Sequence, residues 1–122
     1  HTACRRQRQM CIRDSNKSVK EIGYNSKVGK LVLKQVSLIK KSGASGVICS
    51  AHEAKIIRKK FKNLFIVTPG IRLPGDKAND QKRITTPKQA FQNKASAIVI
   101  GRSITTGSPK KNIKKLIDHL NQ

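Results

Sequence analysis

LFIVTPGIRLPGDKANDQ, running from Leu64 to Gln81, is the stretch on which the reading of the fold turns. Leu64 to Val67 is an apolar run of strand length, expected to break at Thr68-Pro69-Gly70 and to open a long polar loop that carries Arg72 and ends at Asp80-Gln81. A buried strand that delivers an arginine into a loop is suited to holding an anionic ligand.

The same grammar repeats on both sides of this stretch. Val28, Leu31, Val32, Val36 and Ile39 recur at helical spacing with Lys27, Lys30, Lys34, Lys40 and Lys41 on the other face, and Gly43 is placed to stop the helix. Gly46 to Cys49 is a short apolar run expected as a strand buried on both faces. Ser50 and Glu53 match a capping box, which predicts a second helix from there to about Lys60. Downstream of the loop, Thr86, Pro87 and Gln89 mark another helix start. Ala97 to Ile100 is the third strand, ended by Gly101-Arg102, and a last helix begins at Ser108-Pro109 with Ile113, Leu116, Ile117 and Leu120 on one face.

Helices alternating with wholly apolar strands indicate an α/β fold, with parallel strands joined by right-handed crossovers. Two architectures fit this order: an open doubly wound sheet, or part of a (β/α)8 barrel. At 122 residues the chain holds one domain, and three strands are fewer than half of a barrel. Composition narrows the function classes. Hydrophobic residues at 36% support a packed core, whereas aromatics at 3% leave little on which to stack bases. The formal charge of +21 attracts polyanions. Yet no basic block is interleaved with aromatics and no zinc-finger spacing occurs, so the lysines read as solvated helix faces and no specific nucleic-acid partner is expected.

Cys4, Cys11 and Cys49 form no paired framework, and Cys49 reads as a small buried hydrophobe. A reducing, cytoplasmic setting is expected, with no apolar run of bilayer length and no membrane association. His52 and His119 lack metal-ligand spacing and read as solvated surface residues.

Residues 1–15, HTACRRQRQMCIRDS, hold half of the arginines and no lysine. RQRQMCIRDS resembles a translated sequencing adapter, so this segment is expected to be non-native or disordered, and the domain is taken as 16–122.

VTPGIR (67–72), DQKRITTP (80–87) and IVIGRSIT (98–105), preceded by GVICSAHEA (46–54), are together similar to the end of bacterial orotidine 5'-phosphate decarboxylase. The resemblance implies the last three strands of a (β/α)8 TIM barrel. It also implies a cofactor-independent carboxy-lyase, converting orotidine 5'-monophosphate to UMP and carbon dioxide, homodimeric when full-length. Arg72, Gln81, Gly101 and Arg102 align with family positions that bind the phosphate and adjoining groups. Those positions fit barrel chemistry, in which loops after the last strands hold phosphate and a short extra helix, here opening near Ser103, often assists. Ser50 is accounted for by capping. The family's catalytic Asp-x-Lys-x-x-Asp array is expected on an earlier strand, with a threonine just before Asn16; Asp76-Lys77 with Asp80 imitates the array at the wrong spacing and reads as loop charge. The segment alone is therefore expected to be inactive. Two other classes share these features: another phosphosugar-binding barrel enzyme, and a small basic nucleic-acid-binding protein.

Overall fold

The computed structural model describes residues 27–76 and 85–122. The adapter-like segment 1–15, Gln81 and Asp80 lie outside the described residues. The chain forms α1 (Val28–Lys41), β1 (Gly46–Ile48), α2 (Ala51–Lys60), β2 (Phe65–Ile71), α3 (Pro87–Gln92), β3 (Ala97–Ile100), α4 (Arg102–Thr105) and α5 (Pro109–Asn121).

The strands form one parallel sheet in the order β1-β2-β3. Right-handed crossovers that step always in the same direction put their helices on one face, which is the winding of a barrel rather than of a sheet with a reversal point. Accordingly α2 and α3 pack against each other, and α2 also packs against α1. One core forms where Val28, Val32 and Val36 of α1 meet Val47, Cys49, Ala54, Ile57, Phe61, Leu64 and Ile66. Ala51, Ile71 and Ala90 make a second, smaller cluster, with Ile98 and Ile100 packed against it.

Strand β1 approaches β2 so closely that glycine is required at its start. A Cβ on Gly46 would lie 2.8 Å from the Phe65 carbonyl oxygen, a backbone atom that cannot swing aside. Gly46→Ala is expected to destabilise the fold by about 1–3 kcal/mol, the usual range for overpacking, read as a lowered unfolding midpoint. At the same end of the sheet, Arg58 joins three elements. Its guanidinium donates to the carbonyls of Lys62 (2.6 Å), Leu64 (2.8 Å) and Lys94 (3.3 Å) and to Ser96 Oγ (2.8 Å), and Ser96 Oγ in turn accepts the Ile66 N–H at 3.0 Å.

Several expectations are corrected. Strand β2 does not break at Thr68-Pro69-Gly70 but continues to Ile71. The interruption is absorbed as a register irregularity against β3 between Thr68 and Ile71, where Gly70 takes φ 79°. Proline has no N–H to give the ladder, so it sits in a strand only where the pairing is irregular. The capping box at Ser50 is also remade. Ser50 is the N-cap, but its hydroxyl donates to the Glu53 carboxylate instead of accepting a backbone N–H, and both side chains are buried. A buried carboxylate needs a donor, and Ser50 is the neighbour that supplies one. The box at Thr86 forms as expected: Thr86 Oγ1 accepts from Gln89 N at 3.3 Å and Gln89 Oε1 accepts from Thr86 N at 3.2 Å.

The strands are not buried on both faces. Phe65 is 54% exposed and Val99 is 51% exposed. Side chains alternate across a strand, so the face of Ile66 meets helices while the face of Phe65, which points inward in a barrel, has no covering element among the described residues. No residue of α5 is buried either, although the expected apolar stripe is present. His119 departs from the solvated reading: it is half-buried, and its Nε2 is buried with no hydrogen-bond partner among the described residues.

Candidate functional site

The carboxyl ends of all three strands lie on one edge of the sheet, because the strands are parallel. Ile71 of β2 pairs with Ile100 of β3. Arg72 and Gly101, each one residue further on, therefore leave the sheet side by side, with Arg102 next. This register is the geometric core of the site: it brings three of the four sequence-derived candidates together, and the fourth, Gln81, belongs to the undescribed part of the loop.

The two arginines differ in setting. Arg72 is buried, with its Nη1 donating to the carbonyl of Ile71 at 3.1 Å, while Arg102 is exposed at the first position of α4. Gly101, the residue before α4, is exposed, and a Cβ built on it would meet nothing within 4 Å. Glycine is not needed there for packing, and the space beside this stretch of backbone is open. The expected short helix after β3 exists and begins at Arg102, one residue earlier than read.

The loop that starts at Arg72 is closed at its base by backbone pairing. Arg72 N–H donates to the carbonyl of Thr85 at 3.1 Å, and Ile71 and Thr85 form a parallel bridge. Thr85 Oγ1 lies 3.5 Å from Nε2 of exposed His52, at the start of α2. The next amide, Leu73 N–H, donates to Ser103 Oγ at 3.3 Å. Ser103 thus ties α4 to the strand-end that carries Arg72. Sequence reasoning named Ser103 only as the opening of the short helix, since nothing local marks a contact between residues thirty positions apart. Asn112 secures α4 from the other side, its Nδ2 donating to the carbonyls of Ile104 (3.1 Å) and Thr106 (2.8 Å).

Among the described residues no group of three or more His, Cys, Asp or Glu side chains could hold a metal ion, and no helix is long and apolar enough to cross a membrane. An arginine pair and an open glycine at one edge of a parallel sheet can bind an oxyanion but hold no general acid, base or nucleophile of their own.

Fold and edge together define a segment of a parallel (β/α) barrel protein whose candidate ligand groups gather at the carboxyl ends of its strands. The sequence-family model described as Orotidine 5'-phosphate decarboxylase / HUMPS family matches residues 9–116, and the chain belongs to that family. The orotidine 5'-phosphate decarboxylase of Coxiella burnetii (strain RSA 331 / Henzerling II) is 43% identical over 101 residues, covering 82% of this chain and 43% of the relative. That of Buchnera aphidicola subsp. Acyrthosiphon pisum (strain Tuc7) is 45% identical over 100 residues, covering 81% and 42%. Among solved structures, orotidine 5'-phosphate decarboxylase from Lactobacillus acidophilus matches with TM-score 0.67 at 34% identity, over 88% of this chain and 45% of that one. An uncharacterized conserved protein from Geobacillus kaustophilus matches with TM-score 0.65 at 26% identity, over 88% and 44%. The chain thus spans less than half the length of these relatives. The barrel expectation holds, and the doubly wound alternative is set aside.

Proposed function

We propose that this chain, taken as residues 16–122, supplies the phosphate-binding side of an orotidine 5'-monophosphate decarboxylase. The observation that carries the reading is the Ile71–Ile100 register, which sets Arg72 beside Gly101-Arg102 at the sheet edge where barrels bind phosphate. In this reading the guanidinium groups hold the phosphate dianion, Gly101 lets backbone approach it, and Gln81, both donor and acceptor, bridges phosphate and pyrimidine.

The chemistry falls to a lysine between aspartates on an earlier strand, as the resemblance implies. The bond to the substrate carboxylate breaks, carbon dioxide leaves, and the electron pair left on the ring carbon is protonated by the lysine. Binding energy collected at the non-reacting phosphate closes loops and stabilises the transition state, so the grip acts on rate as well as affinity. The same reading carries a homodimer, a cytoplasmic setting and a reaction without cofactor.

The test is a chimera in which residues 27–122 replace the matching segment of the Coxiella burnetii decarboxylase. The expected result is conversion of orotidine 5'-monophosphate to UMP, with the nucleoside orotidine a far poorer substrate. A chimera that unfolds cooperatively yet turns over neither compound would overturn the assignment.

A further inference from the structure

We infer that Ser103 is a positioning residue that sets the spacing between the two arginines of the phosphate grip; the inference rests on the phosphate-binding reading above. The geometry is symmetrical about one hydrogen bond. Arg72 immediately precedes Leu73, Arg102 immediately precedes Ser103, and Leu73 N–H donates to Ser103 Oγ at 3.3 Å. Both bonded residues are buried, Leu73 at 6% and Ser103 at 9% exposure, so water does not replace either partner freely.

Pairing between β2 and β3 ends at Ile71–Ile100, so the ladder sets where the two arms leave the sheet but not how they diverge beyond it. Beyond Ile71 the main chain is held twice in succession. Arg72 N–H is anchored to Thr85, the far end of its own loop, and Leu73 N–H is anchored to α4 through Ser103. The first bond shapes the loop. The second joins the residue after Arg72 to the residue after Arg102, and so ties together the two arms that carry the arginines. Without the hydroxyl, a buried amide loses its acceptor, and the two arms relax apart by whatever movement lets that amide find another. A bidentate grip from two separate chain segments is sensitive to such a shift.

The experiment uses the chimera described above with Ser103→Ala and Ser103→Thr, and measures competitive inhibition by UMP and by uridine together with thermal unfolding. Ser103→Ala is expected to weaken UMP by about fivefold to tenfold, the effect of one hydrogen bond, and to leave uridine inhibition unchanged. Ser103→Thr, which keeps the hydroxyl, is expected to restore UMP inhibition. Equal losses for UMP and uridine, unchanged UMP inhibition, or a Ser103→Ala protein that no longer folds would each overturn the inference by making the bond structural. If Arg102→Ala also leaves UMP inhibition unchanged, the failure lies in the phosphate assignment itself.

Discussion

Arg102→Ala in the chimera is expected to lower kcat/KM for orotidine 5'-monophosphate by roughly 10-fold to 150-fold, corresponding to the 1.5–3 kcal/mol of a charge-assisted hydrogen bond. Arg102 is the residue for this experiment because its side chain is exposed at the first position of α4, whereas Arg72 is buried and bonded to its own strand. Truncating Arg72 would remove packing as well as charge, and loss of activity would not say which mattered. Truncating Arg102 is expected to leave the unfolding midpoint nearly unchanged. Arg102→Lys is expected to recover part of the loss, since it restores the charge without the planar two-pronged geometry. Steady-state kinetics on the phosphorylated substrate decide the matter: kinetics indistinguishable from the parent would remove Arg102 from the grip.

Local signals carried most of the architecture. The stripe Val28, Val32, Val36 became the buried face of α1, and the Thr86-Pro87-Gln89 start became a complete capping box, because both depend on residues a turn apart. The order and apolar character of the strands were legible for the same reason. What could not be read were choices made by the neighbouring strand. Thr68-Pro69-Gly70 looks like a terminator in isolation, yet pairing with β3 carries β2 through to Ile71 with an irregularity in register. That extension is what brings Arg72 level with Gly101. Likewise Arg58 and Ser103 are unremarkable letters in the sequence, and their roles come from partners some thirty or more positions away. Ser50 shows the opposite error: the motif was present, but burial of Glu53 redirected the hydroxyl to the carboxylate.

The chain by itself is expected to show no decarboxylation of orotidine 5'-monophosphate and no sharp cooperative unfolding transition. The first half of this expectation follows from the division of labour proposed above. A phosphate grip lowers the barrier only by stabilising a reaction carried out by other groups. The second half follows from the uncovered surfaces. Among the described residues β1 and β3 each have a single sheet neighbour, the face of Phe65 and Val99 is open, and Ile113, Ile117 and Leu120 of α5 are exposed. Open strand edges and exposed apolar side chains favour association or a loose compact state with local helices retained. Against association stands the net charge of +21, which repels copies of the chain from one another. Ionic strength decides between these two tendencies, because added salt screens the repulsion over about 10 Å at 0.1 M and leaves the apolar attraction intact. At low salt a dye-binding monomer with helical circular dichroism and a broad thermal transition is expected, and with rising salt light scattering should increase. A monomer that melts in one sharp transition, or turnover above the uncatalysed background, would show that these faces and this edge are sufficient without further barrel strands.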